Sequence, residues 1–208
     1  MRPLVLCLLI ALASIGAQAQ TRLTGSRQEQ VIAKVEQAVQ TQKSMQCQFT
    51  QAKSMKLLKR DMESSGVMYF NRPDQLRWQY SKPYDYTFVL NGEKVGIQTA
   101  KSAMNVQNEK MFSQIAHVIL NCITGGNLRS TSDFELELFE QQGTCFARLH
   151  PKKKELKQIY SLIEIHFNAT LTMVDHVRME EKTGDVTLVT LHDVKSNVPI
   201  DPKLFAVP

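Results

Sequence analysis

Five histidines, four cysteines and twenty acidic residues are the side chains of this sequence that could act as nucleophiles, bases or metal ligands. The histidines are His117, His150, His166, His176 and His192. Their spacings match no known arrangement of metal ligands, and the chain contains no phosphate loop, dinucleotide fingerprint or serine nucleophile elbow. His166 and His176 fall on polar positions of alternating segments, which is typical of solvated side chains. The sequence therefore predicts no enzyme activity, no metal and no cofactor.

Three cysteines lie beyond the first 19 residues, namely Cys47, Cys122 and Cys145. An odd number allows at most one intramolecular bridge and leaves one thiol over. Their spacing favours small, buried hydrophobic side chains, and a disulfide bridge is the alternative.

One stretch combines a positioned cation with an apolar surface. Residues Gly66–Pro83 read GVMYFNRPDQLRWQYSKP, an aromatic segment followed by an Arg-Pro turn and the only tryptophan of the chain. The proline limits the backbone freedom of Arg72, whose guanidinium has five N–H donors and can hold several carbonyl groups. Trp78 shares a strand face with Leu76 and Tyr80. This pattern predicts a broad apolar wall with an arginine at its rim.

Two segments with helical periodicity are expected to position these side chains. From Gln28 to Val39 the apolar residues recur with the spacing of one helical face. Ser26, followed three residues later by Glu29, resembles a capping box at the start of that helix. Lys110–Asn121 has the same spacing and is followed by two consecutive glycines, which terminate helices.

The rest of the chain alternates apolar and polar residues, as strands with one solvated face do. Turn residues separate consecutive segments with no helix between them, which predicts an antiparallel meander. The predicted strands are Met45–Phe49, Met55–Leu57, Val67–Phe70, Leu76–Tyr80, Tyr86–Leu90, Phe134–Phe139, Cys145–Leu149, Leu162–Phe167, Thr172–Met179 and Val186–Leu191.

About ten strands and two or three helices predict an α+β fold, with a large, curved antiparallel sheet and helices on one side of it. A sheet of that size tends to curl and encloses more volume than its own side chains easily fill. Two interpretations remain open. The helices either complete a permanently packed core or include one that moves aside to admit an apolar ligand.

The first 19 residues are typical of a secretory signal peptide, with an early arginine, an apolar run over Leu4–Ile15 and a small-residue cleavage site at Ala17–Ala19. We expect residues 20–208 to form a single soluble domain in the periplasm, because no other segment approaches the roughly 20 apolar residues of a membrane-spanning helix. A lipid-modified leader is the alternative, since Cys7 lies in the apolar run, but no cysteine stands at the cleavage site.

The chain has 208 residues, 43% of them hydrophobic and 22% charged, which excludes a disordered tail or a collagen-like repeat. Its net charge is +5, and Lys152–Lys154 is its only basic run. Nucleic-acid binding needs a broader basic surface with interleaved aromatic residues, so we expect no nucleic-acid partner. A solvated turn is expected at the basic run, and docking to an acidic partner or an anionic membrane is the alternative.

Taken in order, several short motifs resemble those of the periplasmic outer-membrane lipoprotein carriers, the LolA family. The Arg-Pro stretch quoted above is the central motif of that resemblance. The other matching segments are Gln48–Gln51, Val89–Gly92, Leu149–Pro151 with Leu156–Gln158, and the terminal Leu204–Pro208. Together they span nearly the whole chain beyond the leader.

The resemblance implies an unclosed antiparallel β-barrel, or half-barrel, with a lid of two or three helices over an apolar cavity that receives acyl chains. In the family, the arginine of the Arg-Pro turn bonds to the lid and keeps the empty carrier closed, and Arg72 occupies that position. Leu76 matches a position that influences transfer and self-association, and Trp78 matches the cavity tryptophan. The cavity residues implied for this chain are Phe49, Tyr69, Leu76, Trp78, Tyr80, Phe88, Met111, Ile115 and Ile119.

The partners implied by the resemblance are lipoproteins, an inner-membrane ABC releasing complex and an outer-membrane acceptor, with the carrier a monomer. Two segments depart from the family pattern. Val95–Gln98 lacks the usual aromatic residues, and Lys101–Ile123 supplies a methionine-rich helix as the lid. A carrier of another lipid, such as a glycolipid or a pigment, and a sensor of envelope lipids or lipoproteins are therefore the alternatives.

Overall fold

The computed structural model describes residues 20–57, 60–99, 103–105, 117, 120–121, 124, 128 and 133–208. Over these residues the chain forms twelve strands, two α-helices whose bounds are described and one short 3-10 helix, and four further residues, His117, Leu120, Asn121 and Thr124, are helical. The strands are β1 (Thr21–Leu23), β2 (Ser44–Met55), β3 (Arg60–Asn71), β4 (Gln75–Lys82), β5 (Tyr86–Asn91), β6 (Lys94–Thr99), β7 (Ala103–Asn105), β8 (Phe134–Gln141), β9 (Thr144–Pro151), β10 (Tyr160–Phe167), β11 (Val174–Glu181) and β12 (Val186–Ser196). The helices are α1 (Gly25–Thr41), α2 (Lys154–Ile159) and the 3-10 helix Pro202–Phe205.

All twelve strands belong to one antiparallel sheet with the order β1-β8-β9-β10-β11-β12-β2-β3-β4-β5-β6-β7. Within the described part of the chain β1 and β7 are its two edges, so the sheet is an unclosed barrel. Helix α1 connects β1 to β2. In the strand order β2 is the sixth strand after β1, so the two are about 29 Å apart along the sheet. Its 17 residues are about 25 Å long, which is the length needed to cross between these strands.

The α+β half-barrel predicted from the sequence is confirmed, and the structure adds three strands, β1, β6 and β7. The separate strand predicted at Met55–Leu57 was wrong, because Met55 is the last residue of β2 and the next two residues lie in a turn. β1 and β7 have three residues each, which is too short for an alternating pattern to be recognised in the sequence. Helix α1 confirms the first predicted helix and begins earlier than predicted. The predicted capping box was wrong, because Thr24 is the N-cap residue without a side-chain hydrogen bond, and Ser26 lies inside the helix.

One face of the sheet, here called the inner face, carries the hydrophobic core. Val31, Ile32 and Val35 of α1 belong to the same buried cluster as the inner-face side chains. These side chains include Cys47 and Phe49 of β2, Met68 and Phe70 of β3, Leu76 and Trp78 of β4, Leu90 of β5, Ile163 and Ile165 of β10, and Val189 and Leu191 of β12. The helix therefore packs its apolar stripe on the inner face, as expected for an amphipathic helix.

The opposite, outer face is partly covered by the C-terminal residues. Phe205 is completely buried, and its carbonyl oxygen accepts a hydrogen bond from Asn91 Nδ2 at 3.1 Å. Arg77 Nη1 donates to the Leu204 carbonyl oxygen at 3.3 Å. Gly96 leaves room for this segment, since a Cβ atom there would come within 2.7 Å of Val207. The terminal segment therefore packs over β4, β5 and β6.

The second predicted helix, Lys110–Asn121, lies mostly outside the described residues. His117, Leu120 and Asn121 are described, and all three are helical. Leu120 is buried and belongs to the core cluster. The signal peptide predicted over residues 1–19 and Cys122 also lie outside the described residues.

Candidate functional site

Arg72 lies in the turn between β3 and β4 and binds the C-terminal end of α1. Its Nε donates to the Gln42 carbonyl oxygen at 2.7 Å, and its Nη2 donates to the Val39 carbonyl oxygen at 2.5 Å. The last turn of α1 contains no basic residue of its own. Carbonyl groups at a helix C-terminus lack intrahelical donors and carry a partial negative charge. The guanidinium satisfies two such carbonyls and supplies the complementary charge.

The pairing of β2 with β3 places Arg72 at this position. β2 begins three residues after α1 ends, and its first residue, Ser44, pairs with Asn71 at the end of β3. The next residue after Asn71 therefore lies beside the C-terminus of α1. The backbone N–H of Arg72 donates to the Lys43 carbonyl oxygen at 2.9 Å, which fixes the turn against the helix end. Strand register thus determines which carbonyls the guanidinium can reach.

Aromatic rings from neighbouring strands form a contiguous wall on the inner face. The ring centroids of Phe49 and Trp78 are 4.6 Å apart, those of Phe49 and Tyr80 are 5.1 Å apart, and those of Tyr80 and Tyr86 are 5.5 Å apart. Such tilted and edge-to-face contacts stabilise aromatic clusters beyond the area they bury. Gly66 lies between Phe49 and Tyr80 in the strand pairing. A Cβ atom at that glycine would be 1.9 Å from the Gln79 carbonyl oxygen, so no other residue fits.

Five of the predicted cavity residues share the inner face. They are Phe49, Leu76, Trp78, Tyr80 and Phe88, and the strand register aligns Trp78 with Phe88 and Tyr80 with Tyr86. Met111, Ile115 and Ile119 lie outside the described residues.

The structure corrects the placement of Tyr69 in this wall. Tyr69 pairs with Gln46 and Arg77, whose side chains lie on the outer face. Its neighbours Met68 and Phe70 are the residues of β3 that face inward. Because successive side chains of a strand point to opposite faces, Tyr69 cannot join a wall that contains Met68.

The polarity of the wall changes along β4, from apolar at one end to polar at the other. Leu76 and Leu90 are fully buried at the end nearer Arg72. At the other end Tyr80 is partly buried, and its hydroxyl donates to Gln51 Oε1 at 2.9 Å. Burial and the nearby Tyr86 raise the pKa of Tyr80 to about 12, so the hydroxyl is uncharged at neutral pH. The inner face is thus apolar near the helix end and polar toward the opposite rim.

An ion pair completes the polar end of the inner face. Lys53 Nζ lies 2.7 Å from Glu181 Oε1 and 4.0 Å from Asp185 Oδ2. Gln51, Lys53 and Glu181 were not among the site residues predicted from the sequence. The two residues of β2 could have been predicted to face inward. Gln51 and Lys53 continue the alternation in which Cys47 and Phe49 point to the inner face.

Trp78 carries an unusual polar atom within the wall. The side chain is only 6% exposed. Its Nε1 is the single buried side-chain nitrogen or oxygen without a hydrogen-bond partner among the residues that the structure describes. Almost all buried polar groups in proteins are hydrogen-bonded, so an unpaired indole N–H requires an explanation.

The outer face carries a second group of rings, on β8 to β11. Phe139, Phe146, His166 and His176 stack in that order, with successive centroids 5.3, 4.8 and 4.1 Å apart. The alternating pattern predicted solvated side chains for His166 and His176. The side chain of His166 is instead only 25% exposed, and that of His176 is 31% exposed. Both are partly buried because cross-strand pairing aligns His166 with His176 and with Phe146.

Glu164 lies beside this stack and is nearly buried. His166, together with a direct hydrogen bond from Arg148 Nε at 2.8 Å, holds the pKa of Glu164 at about 2, although burial acts to raise it. The His166 Nε2 atom is 3.8 Å from the carboxylate, beyond hydrogen-bond distance, so the Arg148 contact is the shorter interaction. Among the described residues no group of three or more histidine, cysteine or acidic side chains is arranged to hold a metal ion.

Two open grooves, of about 500 and about 640 Å³, are bordered by β2, β3 and β12 and by the C-terminal end of β4. Most of their lining side chains are polar, including Thr50, Ser65 and Lys82, which border both. Neither groove is the apolar cavity predicted from the sequence. The basic run Lys152–Lys154 is exposed and leads into α2, with Lys153 Nζ paired to Asp133 at 2.6 Å.

An unclosed antiparallel barrel with an apolar inner face, and with a helix fastened at its rim by Arg72, has the architecture of a binding protein of the carrier type. The family model described as outer membrane lipoprotein carrier protein LolA matches residues 40–208. The chain belongs to this family, and the resemblance found in the sequence is confirmed. Members of the family are carrier proteins, so the prediction that the chain is not an enzyme is also confirmed.

Individual relatives agree with the family assignment. The chain is 25% identical over 164 residues to the outer-membrane lipoprotein carrier protein of Methylococcus capsulatus, covering 78% of this chain and 76% of that protein. It is 28% identical over 170 residues to the protein of the same name from Legionella pneumophila, covering 81% and 79% of the two chains. In the described part of the chain, no helix combines the length and the apolar character that crossing a membrane requires.

Solved structures resemble the fold at much lower sequence identity. The chain matches a structure described as the complex of Pseudomonas aeruginosa MucA/MucB with a TM-score of 0.50 at 10% identity, covering 85% of this chain and 60% of that one. A crystal structure of MucB matches with a TM-score of 0.51, also at 10% identity, covering 86% and 62%. At this identity the likeness concerns the fold alone.

Proposed function

We propose that this protein is a periplasmic carrier that takes lipoproteins from an inner-membrane ABC releasing complex and passes them to an outer-membrane acceptor. Residues 1–19 would direct its export, and residues 20–208 would act as a single monomeric domain. Family membership and the names of its relatives support this role. The observation that carries it is the fastening of α1 by Arg72 above an aromatic inner wall.

Burial of acyl chains supplies the driving force for loading. Each methylene removed from water contributes about 0.8 kcal/mol, so one long chain provides several kcal/mol. The wall of Phe49, Leu76, Trp78, Tyr80 and Phe88 would supply the apolar surface once α1 moves away from it. Leu76 and Phe49 are each only 1% exposed in the structure. Because Val31, Ile32 and Val35 of α1 belong to the same buried cluster, cargo and helix would compete for the inner face.

Arg72 affects whether α1 or the cargo occupies the inner face. Its two hydrogen bonds stabilise the closed position of α1, so they oppose loading and favour release. Because the hydrogen bonds are made to backbone carbonyls at the helix end, they can break and re-form without changes in the core. A carrier needs this reversibility, since cargo bound too tightly would not reach its acceptor.

Transfer of a lipoprotein from the carrier to acceptor-containing vesicles tests the proposal. Arg72→Leu should load normally and release slowly, because the closed state is weakened. Arg27→Leu is the matched control, since Arg27 lies near the other end of α1 and forms a 3.4 Å ion pair with Glu140. Equal transfer rates for wild type and Arg72→Leu would contradict the role of Arg72.

Native mass spectrometry of the protein purified from its own periplasm identifies the cargo. A bound lipopeptide mass supports lipoprotein transport. A bound glycolipid or pigment mass would instead assign the same inner face to another lipid.

A further inference from the structure

We propose that the indole N–H of Trp78 is a subsite for the ester or amide carbonyl that joins an acyl chain to its headgroup. This subsite rests on the proposed carrier function and adds a polar recognition element to an otherwise apolar wall. The chemical class of ligand that it selects is a neutral acyl ester or amide, in preference to a plain hydrocarbon.

The unpaired state of the indole N–H is the first observation. Trp78 is 94% buried, and its Nε1 atom has no acceptor in the described part of the chain. The indole has one donor and no acceptor capacity, so only an incoming acceptor can satisfy it. A phenylalanine would give a similar apolar contact without the cost of desolvating a donor. The tryptophan therefore carries a buried donor to which none of the described residues offers a well-placed acceptor.

The neighbours of Trp78 explain why its N–H stays unpaired. The ring of Phe49 lies 4.6 Å away and offers no strong acceptor. The ring of Tyr80 is 6.4 Å away, and its hydroxyl proton is already donated to Gln51 Oε1. No hydrogen bond of normal geometry joins the indole nitrogen to the Tyr80 oxygen. The Tyr80 oxygen can still accept a hydrogen bond, and the nearby indole acts to lower the pKa of Tyr80, but the geometry between the two groups is not that of a normal hydrogen bond.

The position of Trp78 along β4 is the second observation. It stands between Leu76, on the fully buried apolar end of the wall, and Tyr80, on the polar end with Gln51 and Lys53. An acyl chain lying along the apolar end would bring its first polar group, the carbonyl, to this boundary. The headgroup would then extend toward the polar rim, where the Lys53–Glu181 ion pair lies.

A neutral carbonyl suits this subsite better than other acceptors. A carboxylate would bring an unpaired charge into a buried apolar environment, which is strongly unfavourable. A hydrocarbon offers no acceptor. An ester or amide carbonyl accepts one hydrogen bond without a net charge, and every acyl chain of a lipoprotein carries one at its attachment point.

The single tryptophan makes the test direct, because a ¹⁵N–¹H NMR spectrum of this protein contains one indole signal. Methyl palmitate and hexadecane are the two probes, since they differ chiefly in the ester group. We expect methyl palmitate to shift the indole proton downfield and hexadecane, at equal occupancy, to leave it near its position in the empty protein. A synthetic triacylated lipopeptide and dipalmitoylglycerol then distinguish a lipoprotein source of the carbonyl from a glycerolipid source.

A substitution of Trp78 measures how much the indole hydrogen bond contributes to the affinity for the probe. Trp78→Phe should weaken methyl palmitate binding about 3- to 10-fold, as expected for one neutral hydrogen bond, and change hexadecane binding by less than about twofold. Tyr69→Phe is the matched control, because Tyr69 lies on the outer face of the neighbouring strand and the indole shift should persist. Should Trp78→Phe fail to fold, the NMR comparison on the wild-type protein decides alone.

The outcomes separate the subsite from the carrier function. If both probes bind and shift the indole proton equally, the subsite is rejected and the carrier function stands. An indole proton already downfield in the empty protein and unmoved by either probe also rejects it, since water would then be the acceptor. If neither probe nor the lipopeptide binds, the carrier function fails and the subsite with it.

Discussion

The guanidinium of Arg72 and the carbonyl oxygen of Val39 join two parts of the chain that are 33 residues apart in sequence. This contact fastens the C-terminal end of α1 to the turn between β3 and β4, with a second hydrogen bond to Gln42 beside it. The buried residues of the helix, Val31, Ile32 and Val35, contribute apolar packing, which has no directional preference. The arginine therefore defines where the helix ends and how firmly that end is held.

Replacing Arg72 by leucine should loosen the C-terminal turn of α1 more than the rest of the protein. Two charge-assisted hydrogen bonds at a solvent-exposed helix end are worth about 1–2 kcal/mol. We expect amide hydrogen exchange of residues 36–43 to accelerate about tenfold, with exchange in β10 and β11 unchanged. Arg27→Leu should leave these rates unaltered. A uniform acceleration across the sheet would indicate global destabilisation and contradict a local role.

Gly66 should tolerate no side chain. In Gly66→Ala the new Cβ atom would overlap the Gln79 carbonyl oxygen at 1.9 Å, so β3 and β4 must separate beside the aromatic wall. We expect a loss of about 3 kcal/mol or more in the free energy of unfolding, measured by urea denaturation. Gly143→Ala is the control, because that glycine has a positive φ of 77° but open space around it. Its cost should be about 1 kcal/mol.

Glu164 should make stability depend on acid pH. Its pKa in the folded protein is about 2, below its ordinary 4.5, so the stabilisation is fully present above pH 4.5 and is lost as the pH falls toward 2. The carboxylate contributes about 3 kcal/mol at neutral pH by this linkage. Glu164→Gln should therefore be less stable than wild type at pH 7, and the difference should shrink between pH 5 and pH 3. A difference that stays constant with pH would refute the assignment.

The C-terminal segment should contribute to stability without taking part in ligand binding. Phe205 is completely buried on the outer face, so Phe205→Ala leaves a cavity there and should cost about 3 kcal/mol. Lys203→Ala, in the same 3-10 helix but exposed, should change stability by less than about 0.5 kcal/mol. Because the inner face is untouched, hexadecane affinity of the folded Phe205→Ala protein should equal that of wild type. A weakened affinity would indicate coupling between the two faces.

The thiol of Cys47 should resist alkylation in the folded protein. Burial raises its pKa to about 12, so only about one molecule in ten thousand carries the reactive thiolate at pH 8. Burial also raises the pKa of Cys145. Iodoacetamide treatment followed by peptide mass spectrometry should leave Cys47 unmodified in buffer and fully modified in urea. Rapid labelling in buffer would show that β2 opens locally.

The cysteines also show what the residue spacing alone could predict about burial and disulfide bonding. The sequence favoured small buried side chains over a disulfide, and Cys47 and Cys145 are both buried and free. Cys122 lies outside the described residues, so its state stays a prediction. For the buried pair, the alternation of β2 and β9 already placed each thiol on the apolar face.

Local periodicity determined much of the fold. The first helix, most of the strands and the antiparallel order followed from spacing, because one buried face imposes a period of two on a strand and of 3.6 on a helix. The Arg-Pro-Trp stretch, together with the other ordered motifs, also identified the family. The resemblance implied a cavity lined by Phe49, Leu76, Trp78, Tyr80 and Phe88, and the structure places these side chains on one face. Their role in binding stays a prediction.

The tertiary structure decided what depends on pairing between distant segments. The register of Ser44 with Asn71 brings Arg72 to the end of α1, and no local pattern encodes that register. Tyr69 was misplaced because Val67–Phe70 is apolar on both faces, so alternation alone cannot tell which side is inward. The unpaired indole of Trp78 is likewise a tertiary property. A sequence shows that a donor exists, but only the packed structure shows whether an acceptor reaches it.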